Sequence, residues 1–190
     1  MQTESLNILE PIKNRYSSRA FENQLISQSE VNSLLEAARW APSAMNAQPW
    51  RFLLAQKGDK FYNSLAGMLN GGNKPWAETA PCLILVAANT LAPNGAFNKH
   101  AWYDTGQAVA QMVIQAQYLG LNVRQMGGIN YELIEEFIGN PSIEPVVMLA
   151  VGKKGSPEIL PEPYKSRETS TRSRKSIEEL IIIPQEKELK

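Results

Sequence analysis

The chain has 190 residues, of which 43% are hydrophobic and 20% are charged; this composition is typical of one globular domain with its own core. Its 19 basic residues balance 19 acidic ones, so charge gives no support for a nucleic acid or an acidic membrane surface as a partner. A single Cys and a single His exclude an intrachain disulfide and a zinc site built from Cys and His alone, and we predict no metal site.

Targeting signals are missing from the sequence pattern. Residues 1–5 lack the basic region and the apolar run of a signal peptide. The longest apolar run, Cys82 to Ala88, is too short to span a bilayer. We therefore expect a cytoplasmic protein without a membrane segment.

Hydrophobic spacing predicts the elements of the first half of the chain. Residues 6–12 have helical spacing, although Pro11 requires the helix to begin late. Ser27 to Glu30 form a capping-box pattern, and the helix that follows is stopped by Pro42. The next elements are a strand, a helix and a loop, predicted at residues 52–55, 59–69 and 71–75.

The second half predicts two buried strands on either side of the longest helix. Cys82 to Ala88 and Val146 to Val151 are continuous apolar runs, as in strands that are buried on both faces. Between them the pattern predicts a helix from Asp104 to Leu119, a strand from Leu121 to Met126 and a helix from Tyr131 to Ile138. We predict one α+β domain over residues 1–190, with a mainly antiparallel or mixed sheet covered by helices.

The composition changes after Gly152. Residues 153–174 are rich in polar and basic residues and resemble a disordered tail. A second capping-box pattern, Ser176 to Glu179, and the apolar run Leu180 to Ile183 follow. Because a tail that regains hydrophobic residues usually docks, we expect an extended C-terminal arm, about residues 153–190, to pack on a partner subunit.

The stretch Ala41 to Trp50 has the most specific pattern, Ala-Pro-Ser-Ala-Met-Asn-Ala-Gln-Pro-Trp. Two prolines stiffen its ends. Its hydroxyl and carboxamide groups donate and accept hydrogen bonds, but none is a strong acid, base or nucleophile. The stretch suits a planar ligand with a polar edge. In the alternative interpretation, Asn46 and Gln48 only cap or brace the loop.

Two basic segments have the groups that bind a phosphate. Arg15 and Arg19 flank Ser17, and Arg172 and Arg174 precede the second capping-box pattern. Guanidinium groups supply paired charged donors and a serine hydroxyl supplies a neutral one. The alternative is that these arginines are solvated surface residues.

The remaining candidates favour binding over side-chain catalysis. Gly127 and Gly128 would let backbone N–H groups approach a ligand, or would form only a flexible turn. His100 stands beside two aromatic residues, where packing is favoured over catalysis, and Cys82 reads as an inert buried thiol. We therefore predict no catalytic side chain and a bound cofactor that performs the reaction.

These motifs occur in the order found in the FMN-dependent nitroreductase family. Arg15 to Phe21 resembles the Arg-Arg-Ser-x-Arg-x-Phe segment of that family, and Ala41 to Trp50 resembles its Ala-Pro-Ser-x-x-Asn-x-Gln-Pro-Trp loop. Gly127-Gly128 and a late Arg-x-Arg follow in the same order, so the resemblance covers nearly the full chain. Tyr16 replaces the usual second Arg, and Arg124 to Met126 replace a more apolar lead into the glycines.

The resemblance implies an α+β sandwich, a domain-entwined homodimer and two FMN sites at the subunit interface. The residues expected to hold the phosphate and ribityl end are Arg15, Tyr16, Ser17, Arg19, Arg172 and Arg174. Those expected at the flavin ring are Pro42, Ser43, Ala44 and Asn46 from the partner subunit, Gly127 and Gly128 near N5 and, by a looser match, Asn73 and Lys74.

The implied activity is that of an FMN-dependent NAD(P)H oxidoreductase. NADH or NADPH would pass a hydride to flavin N5 and leave, and a small electron acceptor such as a nitroaromatic or a quinone would take its place. The alternatives are a flavin-binding or flavin-sensing module without efficient turnover, and a dimeric structural protein that keeps only the fold.

Overall fold

A single antiparallel sheet forms the centre of the molecule. The computed structural model describes residues 6–184. Within them four strands pair in the order β1–β2–β4–β3, and every neighbouring pair is antiparallel. The predicted α+β class is confirmed, and the sheet is antiparallel throughout. The strands are β1 (Trp50–Gln56), β2 (Cys82–Asn89), β3 (Leu121–Met126) and β4 (Ile143–Lys153).

Helices lie on both faces of this sheet. Short 3₁₀ turns occur at Ala44–Asn46, Pro157–Ile159 and Glu178–Leu180. The α-helices of the described part are α1 (Glu10–Asn14), α2 (Gln28–Arg39), α3 (Tyr62–Gly67), α4 (Lys74–Ala77), α5 (Ala101–Tyr118), α6 (Tyr131–Ile138) and α7 (Tyr164–Glu168).

The buried strand β2 divides the core into two halves because successive side chains of a strand point to opposite faces. Ile84 and Val86 belong to the half that contains α2 and α5. Leu83 and Leu85 belong to the half that contains α3, α4 and α6. All four side chains are buried. The strand is therefore apolar along its whole length, as the sequence predicted.

The two helices with recognised capping signals form as predicted. At the start of α2, the Ser27 hydroxyl accepts a hydrogen bond from the Glu30 N–H, and the Glu30 carboxylate accepts one from the Ser27 N–H. At the start of α6, the Asn130 side chain accepts a hydrogen bond from the Leu133 N–H. That helix ends at Gly139, whose φ of 64° is left-handed. Local capping chemistry therefore determines both starts.

Two predicted boundaries near residue 70 are wrong. The helix predicted at 59–69 covers only α3, because the Asp59 carboxylate accepts a hydrogen bond from the Gln56 N–H and thereby closes a turn. The loop predicted at 71–75 contains the start of α4 at Lys74. Pro75 lies in the first turn of that helix, where its missing N–H leaves no hydrogen bond unmade.

Two predicted elements are longer than expected. β4 begins at Ile143 rather than Val146, and Pro145 pairs with Ala87 at the point where the register shifts. A proline is tolerated at such an irregularity because no ladder donor is needed there. The long helix α5 begins at Ala101 rather than Asp104. The late start predicted for the first helix is confirmed, since α1 begins at Glu10.

The C-terminal segment divides into two parts. Residues 153–168 pack on their own subunit, where Leu160 and Glu168 are buried. The predicted arm boundary, at about residue 153, stays a prediction. From Thr169 to Pro184 every residue is exposed, including Leu180 to Ile183, whose exposed fractions are 63–90%. The short helix expected after Ser176 is only a 3₁₀ turn. Docking on a partner stays a prediction, and residues 185–190 of the arm lie outside the described residues.

The thiol of Cys82 is free and buried in the core at the start of β2. Burial, with a smaller effect of the negative charge of Asp59, raises its pKa to about 12. The thiol is therefore protonated and unreactive at neutral pH. None of the helices in residues 6–184 has the length and apolar character needed to cross a membrane.

Candidate functional site

The two basic segments predicted from the sequence meet in space. The Arg15 guanidinium donates a hydrogen bond of 2.8 Å to the Ser17 hydroxyl. The Arg172 guanidinium donates to the backbone carbonyls of Lys13 and Arg15, at 2.9 and 2.8 Å. These contacts place the segment after α7 against the segment after α1.

Arg15, Arg172 and Arg174 form a group of positive charges that we call the basic cluster. The pKa of Arg15 is lowered first by burial and then by the positive charges of Arg174 and Arg172. Among the ion pairs of residues 6–184, none involves a member of this cluster. Guanidinium groups that repel one another and have no carboxylate partner favour an added anion. Together with the Ser17 hydroxyl, they supply the donors that a phosphate requires.

Arg19 differs from the basic cluster because a carboxylate of its own chain binds it. Its guanidinium lies 3.7 Å from the carboxylate of Glu168, and both side chains are largely buried. The same carboxylate accepts hydrogen bonds from the Arg19 N–H, at 2.9 and 3.1 Å, and from the Ser18 hydroxyl. The structure thus gives the Arg19 side chain an internal partner instead of leaving it free for a phosphate. Sequence reasoning missed Glu168, which stands in a polar stretch with nothing to distinguish it.

Tyr16 also turns towards α7. Its hydroxyl donates a hydrogen bond of 2.7 Å to the backbone carbonyl of Glu168. The ammonium of Lys154 lies 5.5 Å from the centre of the Tyr16 ring. Tyr16, which replaces the second arginine of the resembled family pattern, therefore connects the C-terminal segment to the segment of Arg15.

Gly128 and Asn73, two of the residues expected at the ring, are in direct contact. The Asn73 side chain donates a hydrogen bond of 2.9 Å to the Gly128 carbonyl. A Cβ atom at Gly128 would lie 2.6 Å from the side-chain oxygen of Asn70, so a larger residue here would displace the carboxamide ends of Asn70 and Asn73. A Cβ at Gly127 would meet no atom within 4 Å. Lys74 is exposed at the start of α4.

Arg124 on β3 joins these two parts of the site. Its guanidinium donates a hydrogen bond to the Ser17 carbonyl and lies 5.1 Å from the centre of the Trp76 ring. Trp76 is in α4, three residues after Asn73. Burial, followed by repulsion from Arg19, lowers the pKa of Arg124. Arg124 therefore connects the segment of Arg15 to α4, and Asn73 before α4 contacts Gly128. In the sequence, Arg124 was noted only as a departure from the family pattern.

The loop Ala41 to Trp50 is held by local bonds and by one buried carboxylate. The Ala44 N–H donates a hydrogen bond of 3.0 Å to Asp104, which is buried at the start of α5. The Ser43 hydroxyl accepts a hydrogen bond from the Gln48 N–H at 3.0 Å. The bracing role that the sequence left open for Asn46 and Gln48 is observed for Gln48, whose side-chain amide donates a hydrogen bond of 3.2 Å to the Asn46 carbonyl. Sequence reasoning missed Asp104.

The backbone of this loop is strained. Met45, Asn46 and Gln48 have φ values of 52°, 54° and 46°. Residues other than glycine adopt positive φ infrequently, and the conformation costs of order 1 kcal/mol for each residue. The Met45 side chain is completely exposed. The loop therefore keeps an unusual backbone shape and exposes Met45 to solvent.

In one subunit, the core neighbours of the loop differ from those of the segment that follows Arg15. Ala41 and Trp50 belong to the core half with α2 and α5. Phe21 and Met126, which border the segment of Arg15 and the glycine turn, belong to the other half. No hydrogen bond or ion pair among residues 6–184 joins the loop to the other predicted site segments. Within these residues, Pro42, Ser43, Ala44 and Asn46 thus make no hydrogen bond to their own subunit's basic cluster.

The model of the nitroreductase family matches residues 12–70 and 68–153 of the chain. The chain belongs to this family. An iodotyrosine deiodinase of Thermotoga neapolitana is 27% identical over 169 residues, which cover 77% of this chain and 88% of the deiodinase. An oxygen-insensitive NADPH nitroreductase of Helicobacter acinonychis is 30% identical over 114 residues, 58% of this chain and 53% of that enzyme. A crystal structure of an oxidoreductase containing FMN is 29% identical, with a TM-score of 0.83, over 90% of this chain and 89% of that one.

Proposed function

We propose that the protein is an FMN-dependent oxidoreductase that uses NADH or NADPH to reduce a small molecule. The observation that carries the proposal is the basic cluster, whose guanidinium groups form no ion pair among residues 6–184 and whose Arg15 segment is connected by Arg124 to α4. A similar solved structure contains FMN. FMN, when bound, would supply the hydride chemistry, and the protein would supply position and electrostatics.

Each part of the surface has a proposed task. Arg15, Ser17, Arg172 and Arg174 bind the phosphate, because charged and neutral donors converge there. Gly127 and Gly128 present backbone to the flavin ring, and Asn73 holds the Gly128 carbonyl in place. Tyr16 and Arg19 shape the phosphate segment through Glu168. Lys74 stays a proposed ring contact.

The partner subunit completes the ring pocket in this proposal. Pro42, Ser43, Ala44 and Asn46 would line the ring bound to the neighbouring subunit, since no hydrogen bond or ion pair among residues 6–184 joins them to their own subunit's basic cluster. The exposed apolar run Leu180 to Ile183 supports an arm that covers the partner. The protein is therefore proposed to act as a homodimer.

Nitroaromatic compounds and quinones are the proposed acceptors. They take electrons from a reduced flavin without a protein nucleophile, which suits a site whose conspicuous groups are arginines, amides and glycines. The relatives above are named for nitro reduction and for deiodination. A panel of acceptors should therefore include an iodinated phenol beside the nitroaromatic and quinone compounds.

The test is the visible spectrum of the purified protein. We expect flavin absorbance, bleaching when NADH or NADPH is added without oxygen, and recovery of the colour with an acceptor from the panel. A colourless protein that does not bind added FMN would contradict the proposal. Tight FMN binding without turnover of any acceptor would favour the flavin-binding or flavin-sensing alternative.

A further inference from the structure

Glu168 stands out among the acidic residues because it is buried and contacts a segment about 150 residues away. Its side chain has no exposed surface, and its carboxylate accepts hydrogen bonds from the Ser18 hydroxyl and the Arg19 N–H. It also forms an ion pair with the Arg19 guanidinium. A buried carboxylate is costly unless charged and polar groups surround it, and here they do.

The position of Glu168 in the chain connects it to the basic cluster. Glu168 ends α7, and Arg172 and Arg174 follow four and six residues later in an exposed stretch. On the other side of the contact, Ser18 and Arg19 follow Arg15 and Ser17 directly. The carboxylate therefore fastens together the two segments that carry the basic cluster.

The positive charges of the basic cluster repel one another, so a contact such as that of Glu168 is needed to hold the two segments together. The Arg172 guanidinium contacts the backbone carbonyl of Arg15, and the charges of Arg174 and Arg172 lower the pKa of the Arg15 side chain. The hydrogen bonds from Arg172 to the carbonyls of Lys13 and Arg15 hold one of them. Every residue from Thr169 to Pro184 is exposed, so packing within this stretch does not hold the other arginines in place.

We propose that Glu168 is a positioning residue that assembles the basic cluster for a phosphate before the phosphate arrives. Pre-assembly raises affinity because repulsion and chain entropy are overcome on folding and not on binding. Glu168 touches no ligand itself, and its effect acts through Ser18, Arg19 and the segment that bears Arg172. The part of this proposal that concerns FMN rests on the proposed function, and the part that concerns phosphate does not.

The experiment compares FMN with riboflavin, which has the same ring and no phosphate. Fluorescence titration should show that Glu168→Gln weakens FMN binding about tenfold, since a charged phosphate contact is loosened, and leaves riboflavin binding unchanged. Ser18→Ala removes only one donor to the carboxylate and should shift FMN binding in the same direction by less. Glu158→Gln is the matched control, because Glu158 is an exposed carboxylate of the same segment that pairs with Lys165; its FMN affinity should equal that of the wild type.

Thermal unfolding with inorganic phosphate separates the two proposals. Phosphate should raise the melting temperature of the wild type and raise that of Glu168→Gln less. If the wild type responds to phosphate but does not bind FMN, the proposed function fails and the role of Glu168 stands. Equal losses for FMN and riboflavin, or no loss in Glu168→Gln, would overturn the role of Glu168 alone. If Glu168→Gln does not fold, Ser18→Ala decides by the same comparison.

Discussion

The basic cluster and the loop Ala41 to Trp50 are both parts of the predicted cofactor site, yet the fold holds them differently. The cluster is assembled by contacts between distant segments, through Arg172 and Glu168. The loop is held by its own backbone, by the Asp104 carboxylate and by the Asn89 N–H, which donates to the Pro49 carbonyl. The cluster draws its arginines from two distant segments, whereas the loop combines a strained backbone with a fully exposed Met45 side chain. The difference teaches that a specific sequence motif can be held mainly by local bonds, while a less specific one depends on contacts between distant segments.

The largest expected effect comes from breaking the cluster. Arg15→Ala combined with Arg174→Ala should weaken FMN binding by about 2–4 kcal/mol, because two charged hydrogen bonds to the phosphate are lost. Titration calorimetry measures the change. The control is Arg39→Ala, an exposed arginine that pairs with Glu36 on α2. Unchanged FMN affinity in the double variant would remove the phosphate assignment.

Mixing two defective variants tests whether the loop serves the neighbouring subunit. The double variant of Arg15 and Arg174 is mixed with Ala44→Phe, which places a bulky side chain on the surface expected to face the ring. Random exchange makes half of the dimers mixed, and each mixed dimer regains one complete site, so about a quarter of the sites should bind FMN. No recovery after confirmed subunit exchange would place the loop in its own subunit's pocket.

The glycine turn provides a matched pair of substitutions. Gly128→Ala should destabilise the fold by about 1 kcal/mol, because the new methyl group displaces the carboxamide ends of Asn70 and Asn73 and disturbs the hydrogen bond from Asn73 to the Gly128 carbonyl. Gly127→Ala should leave stability nearly unchanged, since nothing lies within 4 Å of its Cβ position. Urea unfolding distinguishes them. Equal stabilities would mean that Asn73 does not hold Gly128 in the way described.

The smallest effect concerns the strained loop. Gln48→Gly should change the free energy of unfolding by less than about 1 kcal/mol, because relief of the positive φ opposes the added entropy of the unfolded chain. FMN affinity should nevertheless fall, since the loop loses its fixed shape. Gln117→Gly in α5 is the comparison, and its cost should be about 1 kcal/mol with no relief of strain. Greater destabilisation of the Gln48 variant than of the Gln117 variant would show that the loop is not strained.

The parts of the fold that were predicted correctly are those whose sequence signal lies within a few residues. The capping residues Ser27 and Asn130 and the apolar run of β2 act over a few residues, so the sequence indicates them directly. The start of α3 depends on the turn closed by Asp59, and the start of β4 depends on the register shift beside Pro145. Hydrophobic spacing shows neither feature, so these boundaries were the ones missed.

The candidate site divides in the same way. The motifs around Arg15, Gly128 and Ala41 to Trp50 were recognised because their residue types and order are specific. The ion pair of Arg19 with Glu168 was missed because its members are about 150 residues apart and Glu168 resembles any surface acid in sequence. The anchor of the loop, Asp104, was hidden for the same reason, since α5 is far from the loop in the chain.

The sealed thiol of Cys82 has a practical consequence for labelling. Because its pKa is about 12 and it is buried, maleimide reagents should leave the folded wild type untouched. A cysteine introduced at Met45, whose side chain is fully exposed, would then carry the dye at one defined position. Fluorescence from that dye would follow the loop directly as subunits associate or a flavin enters, with no native cysteine to remove first.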